Sequence, residues 1–128
     1  AVFGSYDVVL DVGTLEHVIN IWQAAVNMAG LVKLGGFIIH ENPFNQGNHG
    51  LYNLNPTFYC DFYGQNGFEI VDCRLVGRDG ASRDVPRTAR FKFVEQEVNC
   101  FAVAKRVELK EFSYPQQTKY KLAAAARA

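Results

Sequence analysis

Two short stretches carry the residue types that do chemistry. Asp11-Val12-Gly13-Thr14-Leu15-Glu16-His17 sets two carboxylates and an imidazole around a glycine, and His40-Glu41-Asn42 is followed by His49 and Tyr52. An imidazole has an ordinary pKa of about 6.5, so a histidine beside a bound substrate is suited to taking its proton near neutral pH. His40 and His49 are therefore the candidate bases, with Asn42 and Tyr52 as candidates to orient a substrate. The competing role for these polar groups is to satisfy loop backbone. His17, His40, Glu41 and His49 also invite a metal reading, because histidine and glutamate ligate zinc. Their spacing opposes it: no histidine follows His40-Glu41 at helical distance, and His40 falls in a strand pattern. No metal is expected.

These residues need elements to hold them. Tyr6 to Val12 is a Val- and Leu-rich run that predicts a buried strand of a parallel sheet. Gly13 then permits a turn, Thr14 is a candidate N-cap, and apolar residues from Leu15 to Val32 recur near the helical period. Lys33-Leu34-Gly35-Gly36 supplies a last-turn cation and a glycine C-cap. Gly36 to His40 predicts a second buried strand, reached by a helical crossover and so parallel to the first. Both chemically equipped stretches then lie just past strand carboxyl ends, where open α/β sheets bind ligands. Asp11 and Thr14 serve equally well as caps of the following helix.

The remainder predicts a loop over Pro43 to Asn55 and a helix that Asn55 caps and Pro56 opens, with Phe58, Tyr59, Phe62 and Tyr63 in the core. Phe68 to Val76 and Val98 to Val107 read as an antiparallel strand pair at one sheet edge, with Phe91 to Glu97 as a strand extension. Between them, Arg78, Arg83, Arg87 and Arg90 are interrupted by Asp79 and Asp84, the pattern of a solvated hairpin. The tail from Glu108 has no partner pattern beyond a turn at Tyr114 to Gln117, and its alanine-rich end reads as a frayed helix or appended sequence.

A chain of 128 residues, 48% hydrophobic, is one domain with room for a core. Thirteen basic residues balance thirteen acidic ones, which favours neither nucleic acid nor an anionic membrane as partner. No run approaches the roughly 20 apolar residues of a membrane span. Cys60, Cys73 and Cys100 are odd in number and lack metal-site spacing, so they are expected to be free core thiols in a reducing, cytoplasmic setting. A start at Ala1 leaves a processed or truncated N-terminus open.

In order, the segments resemble the C-terminal half of the class I S-adenosylmethionine-dependent methyltransferases. YDVVLDVGTLEHV is similar to the family's fourth strand and following turn, and LVKLGGFIIHENP to the turn into its fifth strand, with Leu34 at a proline position. NHGLYNLNPTFYCDFYGQNGFEIVD resembles a subgroup's segment after that strand, and VNCFAVAKR its seventh strand. The resemblance implies a Rossmann-like α/β sheet over residues 1–107, parallel strands followed by an antiparallel edge pair, with 108–128 as a tail. It implies methyl transfer from S-adenosylmethionine to a small molecule, with Asp11, Gly13, Thr14, Leu15, Glu16 and His17 at the cofactor: Asp11 for its ammonium group, Leu15 for an apolar contact. The family's glycine-rich cofactor loop and ribose-binding acid have no counterpart here. The resemblance thus implies an incomplete cofactor site, a chain inactive by itself, and an exposed first-strand edge for a missing N-terminal half or a partner chain. The alternative is a noncatalytic interaction module of the same fold.

Overall fold

The computed structural model describes residues 3–92 and 94–121. It is a mixed α/β domain with one open five-stranded sheet in the order β1-β2-β5-β3-β4: β1 Tyr6–Val12, β2 Val32–Pro43, β3 Phe68–Gly77, β4 Ser82–Asp84 and β5 Val98–Arg106. Among the described residues only the β1–β2 ladder is parallel; β5 runs antiparallel to both β2 and β3. Its helices include α1, Ile21–Leu31, and α2, Pro56–Gly64, with a 3-10 turn at Leu15–His17, and residues 118–121 are also helical. No helix among the described residues is long and apolar enough to cross a membrane.

The sheet has one covered face. Cross-strand neighbours share a face, and the row His40–Ala102–Cys73 lies with Ile38, Ala104, Cys100 and Leu75 in a core completed by Tyr59, Phe62 and Tyr63 of α2. The other face shows Val8, Leu10 and Val12 beside Phe37, Ile39 and Glu41. Val8, Leu10 and Val12 are about half to two-thirds exposed. The first strand is thus parallel as expected, but Asp11 alone in it is buried. An apolar run predicts burial only if something covers both faces, and here one face and the outer edge of β1 have no neighbour among the described residues.

Helix and strand boundaries also move. The expected helix over Leu15 to Val32 is divided, because Asn20 accepts the Gln23 N–H at 3.1 Å and starts α1 afresh. Asn-x-x-Gln is the spacing of a capping box, a signal present in the sequence. At the other end the chain enters β2 directly at Val32, so Gly35 and Gly36 lie within the strand rather than in a cap. Gly36 allows close pairing: a Cβ there would stand 2.8 Å from the Asp7 carbonyl oxygen. The β1 partners jump from Val32 to Phe37 across this bulge. The cation at the end of α1 is not Lys33, which pairs with Asp7, but buried Arg106 of β5, donating to the carbonyls of Val32 at 2.8 Å and Ala29 at 3.4 Å.

Phe91 to Glu97 forms no strand among its described residues, and the exposed excursion before it contains the three-residue β4. The tail does find a partner: it lies along α2, with Phe112 parallel to Phe62, Asn66 exchanging hydrogen bonds with Ser113, and the Asp61 carboxylate receiving Thr118. The alanine-rich end lies outside the described residues. All three cysteines are free, and they line up from α2 through β3 to β5. A hydrogen bond with Cys100 and burial push the Cys73 thiol up to about 12, while the bond with Cys73 and burial raise Cys60. Since the thiolate is the reactive form, Cys60 and Cys73 are expected to resist alkylation at pH 8 in the folded protein. Counting labelled thiols by mass spectrometry before and after denaturant checks this; rapid native labelling of Cys73 would contradict it.

Candidate functional site

The parallel register aligns Asp11 of β1 with His40 of β2, and both are buried on the covered face. His40 Nδ1 donates to Asp11 Oδ2 at 2.6 Å, and its Nε2 lies 2.5 Å from the Tyr63 hydroxyl. Asp11 Oδ1 receives the N–H groups of Leu15 at 3.1 Å and Thr14 at 3.3 Å. Burial pushes the Asp11 carboxyl up, but His40, Asn42 and the Leu15 N–H outweigh it and leave its pKa below the ordinary value. Burial, with the Asp11 charge, raises the Tyr63 phenol well above its own. Asp11 is therefore the cap of the 3-10 turn, whereas Thr14 makes no side-chain cap bond. Every polar atom of this line has a partner inside the protein.

A second buried line runs beside it. The Tyr59 hydroxyl donates to Asn42 Oδ1 at 2.6 Å, and Asn42 Nδ2 donates to Glu16 Oε1 at 3.0 Å. Glu16 is fully buried, yet its Oε2 receives no hydrogen bond. Two imidazoles face that oxygen: His49 Nε2 at 3.5 Å and His17 Nε2 at 3.8 Å. The ring centroids of His17 and His49 are 5.3 Å apart, and both side chains are about half exposed.

The loop after β2 makes this meeting. It folds back so that Leu51 and Tyr52 donate their N–H groups to the Glu16 carbonyl at 2.8 and 3.2 Å. Gly50 allows the approach, since a Cβ there would lie 3.0 Å from Glu16 Cγ and 3.2 Å from His17 Nδ1. Outside Glu16 lies a pocket of about 380 Å3 at the carboxyl ends of β1 and β2, walled by Gly13, Glu41, Gln46 and His49 and, opposite, by Arg78 and Asn99. A hydrogen bond of 2.6 Å from Gln46 to Asn99 ties the loop to β5.

Of the residues singled out by sequence, Gly13, Glu16, Glu41 and His49 border this pocket, and His17 joins them through Glu16. Asp11, Leu15, His40 and Asn42 lie in the core behind it. Thr14 is exposed, and Tyr52 donates to the Ile19 carbonyl at 2.7 Å. With both ring nitrogens engaged and no exposed surface, His40 is built to hold β1, β2 and α2 together. Tyr59 and Tyr63 are the residues that sequence reasoning assigned only to the core. Their signal was available: hydroxylated Tyr59 and Tyr63, four apart, alternate with plain Phe58 and Phe62, so one stripe of α2 brings two hydroxyls to buried polar partners. In comparisons with known proteins, no protein-family model matches the chain and no curated protein matches it.

Proposed function

We propose that this domain forms the acceptor side of an S-adenosylmethionine-dependent methyltransferase acting on a small molecule, within a Rossmann-like sheet that a further strand completes along β1. One observation carries the reading: the Glu16–His49 pocket opens at the carboxyl ends of the parallel pair β1 and β2, beside a strand whose Val8, Leu10 and Val12 are exposed. Crevices beyond such strand ends are where open α/β sheets hold ligands. An exposed apolar edge strand is a seat for another strand.

The residues at the strand end fit one wall of a cofactor site. Gly13, at φ +74°, leaves the pocket rim free of side chain, and exposed Val12 and Thr14 flank it. Asp11 does not fit the ammonium role, because both its carboxylate oxygens are occupied in the core. The cofactor brings the transferable methyl, and the protein's share is to orient the acceptor and keep water out. His49 stands at the pocket with half its surface free and is the side chain positioned to receive the acceptor's proton.

Calorimetric titration with S-adenosylmethionine tests the reading on this chain alone and on the chain extended by whatever native sequence its gene encodes ahead of Ala1. The expected result is binding, and labelled methyl transfer, only with the extension. Absence of cofactor binding by the extended protein would refute the methyltransferase, and would favour the noncatalytic interaction module. Binding by the chain alone would refute the incomplete site.

A further inference from the structure

We infer that Glu16, His17 and His49 form a binding site for a divalent first-row transition metal ion, with zinc as its representative, at the floor of the pocket. The donor atoms, one carboxylate oxygen and two imidazole nitrogens, all lie within 4.8 Å of one another. Around a tetrahedral zinc ion with bonds of about 2.0–2.1 Å, donors stand about 3.3 Å apart. The His49 and His17 nitrogens are 3.5 and 3.8 Å from Glu16 Oε2. Small side-chain adjustments of two half-exposed histidines close the difference.

The buried carboxylate supplies a second, independent reason. A carboxylate oxygen removed from water without a hydrogen bond is costly. Glu16 Oε2 is such an atom, while its sister oxygen is fixed by Asn42, itself fixed by Tyr59. Metal-ligating groups are held by partners of this kind, which orient the ligand and leave its other donor free for the ion. The residues behind Glu16 aim Oε2 at the gap between the imidazoles, and Gly50 lets the loop carrying His49 reach it. Local spacing could not reveal the group, because His49 arrives from a loop far along the chain.

The chemistry of the donors selects the ion. Mixed nitrogen and carboxylate donors suit zinc, cobalt or iron, whereas magnesium and calcium favour all-oxygen sets. Three protein ligands leave at least one coordination position, the arrangement of catalytic rather than structural zinc. Glu16 and His49 line the pocket, so an ion held there would polarise an oxygen or nitrogen donor of a small molecule that enters it. The site does not depend on methyl transfer; where both hold, His49 is a metal ligand rather than a base, and the ion lowers the acceptor's pKa so that its proton leaves to water in the pocket.

Zinc titration of this chain by calorimetry, and cobalt titration followed by visible absorption, test the inference directly. One equivalent of zinc is expected to bind, to raise the melting temperature, and to displace cobalt whose spectrum indicates four or five ligands. His17→Ala and His49→Ala, at half-exposed positions, should keep the fold and each weaken zinc at least 10-fold. Glu16→Gln keeps an acceptor for Asn42 and should do the same. Failure of wild-type protein to bind either metal would overturn the site, as would binding that survives His17→Ala and His49→Ala unchanged. Neither result bears on cofactor binding, so this inference and the methyltransferase reading fail separately.

Discussion

Replacing Asp11 with alanine is expected to cost about 3–5 kcal/mol, the range for removing one member of a buried ionic or strongly hydrogen-bonded pair. Against a typical domain stability of about 5–15 kcal/mol, that loss leaves little or no folded protein at raised temperature. The reason is the number of groups orphaned together: the His40 ring nitrogen at 2.6 Å and the backbone N–H groups of Thr14 and Leu15, all in or beside the core. Asp11→Asn keeps an acceptor for the two N–H groups and should cost clearly less. Urea denaturation of the two variants measures the difference; equal and small losses would show that the line from Asp11 to Tyr63 is not a support.

The same residue gives the fold part of its acid sensitivity. The folded-state pKa of Asp11 is lowered, so near pH 4 the unfolded chain binds the extra proton and stability rises with pH. Its contribution is present in full above the ordinary carboxyl value and is lost as pH falls through the lower, folded one. Asp11→Asn should therefore be less stable than wild type at pH 7 and show a shallower decline below pH 4.

Much of the element order was legible because it rests on local pattern. The GFIIH and VNCFAVAKR runs are strands, Asn55-Pro56 opens a helix, and of that helix's aromatics Tyr59, Phe62 and Tyr63 are buried while Phe58 is half-buried against the core. What escaped depended on pairings remote in sequence. Whether His40 is a base or a core residue turns on the register that sets it beside Asp11 and under Tyr63, and that register follows a bulge at Lys33 to Gly36. The cation that ends α1 comes from Arg106, more than seventy residues away, where local pattern points to the neighbouring Lys33. Metal-ligand spacing rules detect ligands on one helix or turn, so the approach of His49 to Glu16 across the loop after β2 lies outside their reach. The tail was opaque for the same reason: Asn66, Gln65 and Asp61 bind its backbone with side chains, leaving no periodic apolar pattern to read.

Gly67→Ala should be the most damaging glycine substitution, costing about 3 kcal/mol or more and releasing the tail. Two penalties combine there. Gly67 has φ +81°, where an L side chain costs about 1–2 kcal/mol, and its Cβ would lie 2.4 Å from the Glu108 carbonyl oxygen, so backbone must move. That movement pulls on the bonds from the Val107 and Glu108 N–H groups to the Gly67 carbonyl, at 2.9 and 3.0 Å, which fasten the junction of β5 and the tail to the turn before β3. Gly35→Ala is the control, because φ is +82° but nothing lies within 4 Å of the added carbon. It should lose only the conformational part. Trp22 is the chain's single tryptophan and its ring centroid is 4.3 Å from that of Tyr114 in the tail, so its fluorescence reports tail release. Gly67→Ala should change Trp22 emission at a denaturant concentration where Gly35→Ala and wild type do not; similar midpoints for the two variants would show that φ alone governs both positions and that the tail is not fastened at Gly67.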